Sequence, residues 1–595
     1  MQPVDITTLR AVCHDLTNKW LPARCEQVVQ RDINTICLGL RTFDRRGWLT
    51  ISWHPQAARI HMGAAPPKRP DTFTFSQQLK HQFNGLALTK IDFLAPWERA
   101  IDLQFAHRPD EAAEWHLYVE IMGNYSNVLL TNAQQEIVTA AHQVNEQQSS
   151  VRTIRTGGQY RPPPTMMGTL PRLEEPFTEW QERIDLVPGK LSKMMVKSYS
   201  GLSTALAKQL SRGAGLDPTQ STDNLTLGDW QQLYVQWQRW LQCLEKNDFQ
   251  PAHTDRGYTV LGWTASPVSG SIQHLLNDYY TAQLNQQTFS QLHHQLTQKI
   301  KNLTVKLRQK AANFYQRLED SDQAERYRVK ADLLMAYLHE WQPGMSSIQL
   351  QDFESGEPVT LALNPEKNAV QNAQAFYKRH QKLRRTRDAV TPLLEEVETE
   401  LHYLEQVEAA LTQTAQYKVP EDLTALEEIR DELVQQRYLI DPYQRQGKHQ
   451  GRGRTDKLPD FYKCQTPNGT EIWVGRNNNQ NEALSFKAAN DYDLWLHTQE
   501  IPGSHVLLRL EPGAAVRDDD LAVAANVAAW FSRARQSEQV PVVYTKPKHV
   551  YKPKGARPGM VIYKHEQVLW GQPQLAKAYL EKDEKSAQTV MSSRT

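Results

Sequence analysis

Apolar positions keep two rhythms in the first part of the chain. Around Thr7–Leu21 they recur at three- and four-residue steps, which predicts an amphipathic helix. The runs TICLGLRTF, GWLTISWH, ARIHMG, RAIDLQFA, WHLYVEIMG and SNVLLTN then read as strands. Residues 1–170 are therefore expected to form a mixed α/β domain, a hairpin-rich sheet with a few helices. The stiff prolines of GGQYRPPP (Gly157–Pro164) should close it. Helical spacing takes over across 175–265. There VKSYSGLSTALAKQLSRGAG gives a helix, a glycine-bearing turn and a second helix. That is the outline of a helix-hairpin-helix module, whose turn can offer backbone N–H groups to phosphate. An ordinary αα-hairpin fits the stretch equally well.

The longest periodic segments lie in residues 271–440. Phe289, Leu292, Leu296, Ile300, Leu303, Leu307 and Phe314 predict one long helix from Ser271 to about Ala336. Val390, Leu394, Val397, Leu401, Leu404 and Leu411 predict a second from about Asn372 to Thr414, in a heptad pattern broken at Glu408. SSIQLQDFESGEPVTLALNP between them gives two short strands about a glycine turn. The expected product is an antiparallel coiled-coil arm with a small β tip, about 60–90 Å long at roughly 1.5 Å per residue. Such reach suits bridging sites on a large partner. Residues 441–458 are polar, basic and glycine-bearing, as a linker is. A compact α/β domain is expected over 455–573, then a charged tail, 574–595. The fold class is multidomain α+β.

Composition changes this picture little. The 595 residues carry 68 basic and 67 acidic side chains, a net charge of +1, so a nucleic-acid surface has to come from local clustering. Cys13, Cys25, Cys37, Cys243 and Cys464 include no CxxC pair, which suits a reducing compartment. MQPVDITTLRAVCHDL lacks the pattern of a secretion signal, and Leu521–Phe531 is too short to span a bilayer. A cytoplasmic protein with no membrane partner is expected. There is no P-loop, no GxGxxG after a strand, no HExxH and no GxSxG. Binding is therefore favoured over catalysis, and no cofactor or metal is expected.

Two basic clusters stand out. FYKRHQKLRRTRD (Phe376–Asp388) holds Lys378, Arg379, Lys382, Arg384, Arg385 and Arg387 near the arm tip, with little acidic compensation. A phosphate contact is preferred there to a merely solvated helix. YTKPKHVYKPKGARPG (Tyr544–Gly559) spaces Lys546, Lys548, Lys552 and Lys554 between prolines and tyrosines, which suits RNA; a lysine-protected edge strand fits nearly as well. Asn477–Asn481 packs four asparagines and a glutamine between a strand and a helix-like run. The cluster can build a turn or present donors outward.

GTEIWVGRNNNQNEALSF, NDYDLWLHTQEIPGSHVLLR and AAWFSRARQSEQVPVVYTKPKHVYKPKGARPGMVIY together resemble the RNA-binding domain of the NFACT family. PPKRPDTFTFSQQLK, WERAIDLQF and LYVEIMGNYSNVLLTN resemble its N-terminal domain; AERYRVKADLLMAYL and NAQAFYKRHQKLRR resemble its middle region. The resemblance runs from about Asp5 to Pro573, with Arg476 for the family's usual Lys and Glu482 for its Asp. It implies ribosome-associated quality control. Such a protein binds a large ribosomal subunit obstructed by peptidyl-tRNA and recruits charged tRNA(Ala). With a small partner of the RqcP type it supports untemplated alanine tailing, while peptidyl transfer stays with the ribosome. The resemblance assigns tRNA contact to Asp5, Glu98, Arg99, Glu120, Ile121 and Met122, with Glu98 standing for the family's Asp. It assigns RNA or ribosome contact to Arg476, Asn477, Asn478, Gln480, Asn481, His497 and His505, beside the ten Lys and Arg of the two basic clusters. The alternatives are a fibronectin-binding surface adhesin and a DNA glycosylase. The glycosylase reading fails because Pro3 follows Met1-Gln2, so its nitrogen lies in an amide and cannot act as an amine nucleophile.

Overall fold

The computed structural model describes residues 1–67, 71–149, 151–164, 168–254, 257–263, 270–440, 458–577 and 579–580. It divides into two compact units, Met1–Leu284 and Asn285–Thr595. The protein is mixed α+β, with an N-terminal sheet, long central helices and a C-terminal sheet.

The first unit opens with α1 (Ile6–Trp20), then β1 (Ala23–Asp32), β2 (Thr35–Arg41), β3 (Arg46–Ser52) and β4 (Arg59–Gly63). After α2 (Thr74–Gln82) come β5 (Ala87–Phe93), β6 (Ala100–Ala106), β7 (Trp115–Glu120), β8 (Asn127–Asn132) and β9 (Ile137–Ala140). All nine strands join one antiparallel sheet in the order β4-β3-β2-β1-β5-β6-β7-β8-β9. The Gly157–Pro164 segment does more than end this sheet. Gly157 N–H donates to the Ile137 carbonyl at 2.8 Å, and the Tyr160 ring stacks on Tyr118 with centroids 3.8 Å apart.

Four helices follow: α3 (Phe177–Asp185), α4 (Leu191–Ser198), α5 (Thr204–Gly213) and α6 (Leu227–Lys246), then the hairpin β10 (Ala252–Thr254) and β11 (Gly257–Thr259). Their apolar faces meet around Trp180, Trp230, Trp237 and Trp240, all buried. These side chains and those of the sheet share one continuous core, so residues 1–170 and 175–265 pack as one unit. Trp240 Nε1 donates to the Thr7 hydroxyl at 3.0 Å, tying the helices to α1. The Cys13 and Cys25 thiols are free and buried, and burial pushes both up to about 12.

Helix α7 (Ile272–Asp322) ends at Asp322, and α8 (Ala324–Ala336) starts directly after Gln323, so the long helix expected to Ala336 is two. The break falls in EDSDQ, where short polar side chains compete with the helix backbone: Ser321 Oγ donates to the Leu318 carbonyl at 2.7 Å. Strands β12 (Ser347–Gln351) and β13 (Pro358–Ala362) form the expected hairpin. The next helix, α9 (Ala369–Gln413), is capped by Asn368, and α10 (Pro420–Gln435) follows. Val390, Leu394 and Val397 of α9 pack with Ala311 and Phe314 of α7, while Leu404 and Leu411 pack with Leu296 and Ile300. The interruption at Glu408 faces Arg308 of α7 at 3.9 Å.

The predicted linker at 441–458 lies outside the described residues except for Leu458. Beyond it come β14 (Tyr462–Gln465), β15 (Glu471–Val474), α11 (Asn478–Ala483), β16 (Leu494–Thr498), β17 (Val506–Leu508), α12 (Asp518–Trp530) and β18 (Val540–Thr545). A short hairpin, β19 (Val550–Tyr551) with β20 (Ile562–Tyr563), precedes β21 (Gln567–Gly571). The sheet order is β14-β15-β17-β16-β18-β21. Helix α12 covers one face; Leu484, Trp495, Leu507 and Val543 fill the other. Ala576 and Leu580 are buried in the α12 core, so packing continues past Pro573 into the stretch expected to be an unpacked tail.

Candidate nucleic-acid interface

The N-terminal residues assigned to tRNA divide into interior and surface groups. Asp5 is buried: one carboxylate oxygen caps α1 by accepting from Thr8 N–H at 2.9 Å, and the other accepts from the Ser203 hydroxyl at 2.6 Å. Ser203 is in turn the N-cap of α5, so the carboxylate joins two helix starts. Glu120 is 2% exposed and takes both arms of the Arg152 guanidinium, at 2.8 and 2.6 Å, plus the Tyr160 hydroxyl at 3.0 Å. Ile121 belongs to the core. These three side chains are committed inside the protein. Alternation along β7 sends Leu117 and Val119 to the main core and puts Glu120 on the Tyr118 face, where Arg152 and Tyr160 cover it and the guanidinium balances its charge.

Glu98, Arg99 and Met122 are half-buried. Glu98 and Arg99 close the connection from β5 to β6, whose Trp97 packs against Gly201 in the turn between α4 and α5. Gly201 has φ +83°, and a Cβ there would meet the Trp97 ring at 2.9 Å, so the glycine permits the contact. The Arg10 guanidinium lies over the Trp97 ring, 5.3 Å from its centre, and donates to the Pro96 carbonyl at 2.6 Å. Among the described residues the Arg99 side chain has no hydrogen-bond or ion-pair partner, so its fork is open to an incoming phosphate or base edge.

The arm cluster is on the surface as expected. Lys378, Arg379, Lys382, Arg384, Arg385 and Arg387 are all exposed on α9. Arg387 reaches Asp322 at 3.4 Å, and Arg379 lies over the Tyr327 ring. Lys378, Lys382, Arg384 and Arg385 have no acidic partner among the described residues. Lys378, Lys382 and Arg385 fall at four- and three-residue steps and line a shallow groove with Gln381. Three cations along one groove are a favourable setting for a polyanion.

The asparagine run lies elsewhere: Asn477, Asn478, Gln480 and Asn481 are each no more than 3% exposed. Asn477 Oδ1 caps α11 by accepting from Gln480 N–H at 2.9 Å, while its amide donates to Glu428 at 2.7 Å. Gln480 also donates to Glu428, at 2.8 Å; Asn478 donates to Glu432 at 3.1 Å; Arg476 pairs with Asp422 at 3.1 Å. Asn481 Oδ1 accepts from His505 N–H at 3.0 Å. Carboxylates of α10 thus hold a donor from each of Asn477, Asn478 and Gln480. His497 and His505 are buried as well, and burial pushes His497 down to about 4 and His505 well below its ordinary value. Both are neutral core groups and offer RNA no charge.

In the second lysine cluster, Lys546, Lys548 and Lys554 are exposed without acidic partners among the described residues, whereas Lys552 pairs with Glu482 at 2.6 Å. Sequence reasoning passed over the residues facing the asparagine run. Asp422, Glu428 and Glu432 stand among many helical acids, and only the one-turn spacing of Glu428 and Glu432 hinted at a shared face. Arg557 was equally inconspicuous: its guanidinium lies 4.8 Å over the Tyr403 ring and 5.3 Å over Tyr438, and it donates to the Tyr438 hydroxyl. Among the described residues no helix is long and apolar enough to cross a membrane.

Two exposed basic surfaces lie on a multidomain scaffold of sheets and long helices. Residues 5–452 match the NFACT N-terminal and middle domains, and residues 460–565 match the NFACT protein RNA binding domain; the chain belongs to the NFACT family. It is 30% identical over 559 residues to "Rqc2 homolog RqcH" of Streptococcus suis, covering 92% of this chain and 94% of that protein. The RqcH of Bacillus subtilis is 29% identical over 567 residues, covering 94% and 96%. Among solved structures, the C-terminal part of a fibronectin/fibrinogen-binding protein from Streptococcus suis is 30% identical, covering 48% of this chain and 95% of that one, with TM-score 0.35. The N-terminal part of that protein is 23% identical, covering 47% and 98%, with TM-score 0.37.

Proposed function

We propose that this chain is a ribosome-associated quality control factor of the cytoplasm. It binds large ribosomal subunits obstructed by peptidyl-tRNA and recruits charged tRNA(Ala). With a small RqcP-type partner it directs untemplated alanine addition to the stalled chain, and the tail marks that chain for degradation. The observation that carries the reading is the set of exposed, uncompensated cations Lys378, Lys382, Arg384 and Arg385 in a chain whose residues 460–565 match an RNA-binding domain. Similarity to RqcH along more than nine-tenths of the length supports it.

In this reading the helices of 271–440 act as a coiled-coil arm that carries its cations to ribosomal RNA. The α4–α5 turn is a helix-hairpin-helix module beside the tRNA site. Glu98, Arg99 and Met122 contact the tRNA, while Asp5, Glu120 and Ile121 hold the frame behind them. Peptidyl transfer is left to the ribosome. The test is sequencing of tRNA that copurifies with the protein in large-subunit fractions. Enrichment of tRNA(Ala) is expected. A random tRNA mixture or no subunit association rejects the reading and returns attention to a surface adhesin.

A further inference from the structure

The segment Arg476–Asn481 is rich in hydrogen-bond donors, and four of its six side chains, Arg476, Asn477, Asn478 and Gln480, donate to one acidic helix. Glu428 Oε2 accepts from Asn477 and Gln480 together, at 2.7 and 2.8 Å. One turn further along α10, Glu432 Oε1 accepts from Asn478 at 3.1 Å and from the Tyr403 hydroxyl of α9 at 2.7 Å. Asp422 near the start of α10 holds Arg476. The amides cannot rotate away, because their oxygens are also used: Asn477 caps α11 and Gln480 Oε1 accepts from Arg476 N–H at 3.1 Å. Asn478 is further pinned beneath Gly559, where any Cβ would stand 3.0 Å from it. A second tie runs alongside. Arg557 rests on Tyr403 and Tyr438, and Tyr438 donates to Glu400 of α9 at 2.8 Å.

RNA could reach the donors facing Asp422, Glu428 and Glu432 only by displacing those side chains, and at Asp422 and Glu428 its phosphates would carry the same charge as the groups they displace. We infer that Arg476–Asn481 is an intramolecular docking element for the acidic face of α10, and that Asp422, Glu428 and Glu432 are positioning residues for RNA binding. They hold the RNA-binding domain on the arm helices so that the two basic surfaces engage one RNA as a single body. The inference rests on the proposed function only in taking ribosomal RNA as the ligand. Two weak surfaces gain affinity from a fixed mutual geometry, and they lose that gain when the joint loosens.

The test uses the full-length chain with Glu428→Ala, Asn477→Ala and the double variant. Three quantities are read: affinity for large ribosomal subunits, affinity for a short single-stranded RNA oligonucleotide, and amide hydrogen exchange. Each single variant should weaken subunit binding about 10-fold. The double variant should be no worse than the weaker single one, because both remove the same contact. Oligonucleotide binding should stay unchanged. Exchange should accelerate in α11 when Glu428 is replaced and in α10 when Asn477 is replaced, while Glu428→Gln, which keeps an acceptor, restores most of the protection. Direct RNA contact gives opposite signs and overturns the inference: Asn477→Ala weakens oligonucleotide binding, and Glu428→Ala strengthens it. Unchanged exchange in the partner helix also overturns it. If the wild-type chain does not bind subunits, the proposed function fails, while the exchange measurement still decides the docking role.

Discussion

Glu120 and Arg152 face each other across two hydrogen bonds of 2.6 and 2.8 Å, in a site where Glu120 has almost no solvent. The Arg152 guanidinium also lies over the Tyr160 ring, whose hydroxyl donates to the same carboxylate. Glu120→Ala leaves a largely buried guanidinium unpaired and should cost about 3–5 kcal/mol. Arg152→Ala should cost a similar amount. Thermal unfolding of both variants checks this. Loss of tRNA binding with unchanged stability would instead mean that Glu120 touches the ligand.

Arg99 behaves differently, since no group of the described protein depends on its guanidinium. Arg99→Ala should shift stability by no more than about 0.5 kcal/mol, as surface substitutions do. Glu98→Ala combined with Arg99→Ala should abolish tRNA enrichment while leaving subunit association largely intact. Sequencing of copurified tRNA beside a sedimentation assay separates the two effects. Joint loss of tRNA and subunit would indicate misfolding.

The arm cations Lys378, Lys382 and Arg385 act through charge. Replacing all three by Gln should weaken subunit binding most at low salt and reduce the salt dependence by roughly two to three units of log–log slope. Their exposure means that folding is unaffected, which the melting temperature reports. An unchanged slope would show that this groove does not meet RNA.

Much of this architecture was legible because burial leaves a period in the sequence. The heptads around Leu394 and Leu404 and the alternation in β2, β3 and β7 mark faces that had to be covered. Strand β1 was not recognised: half of Ala23–Asp32 is exposed, so polar residues interrupt the pattern. The site was harder to read. Exposed cations such as Lys382 advertise themselves, but Asn477 is equally polar whether it faces RNA or a carboxylate from a helix about 50 residues away. A sequence records that a donor exists; the partner is set only by tertiary packing. Glu120 shows the same blindness, since nothing local announces Arg152.

Glu432 supplies a pH signature for the docking element. Burial raises its carboxyl from 4.5 to about 7, against the opposing pull of hydrogen bonds from Tyr403, Asn478 and the Asn479 backbone; Glu482 nearby adds repulsion. The folded state therefore keeps a proton that the unfolded state releases between these values. Its contribution is fully present below about pH 4.5, falls as pH rises toward 7, and is flat beyond. The span is on the order of 3 kcal/mol. Glu432→Gln has no such proton to lose. Urea unfolding at steps between about pH 5 and pH 7.5 should show wild type losing stability relative to Glu432→Gln as the pH rises. Taking this difference cancels the opposite trend from His497, which is neutral when folded and opposes folding as pH falls from 6.5 toward about 4. A constant difference across the range would place Glu432 in its ordinary charged state and leave its bond to Asn478 as an ion–amide contact at every pH tested.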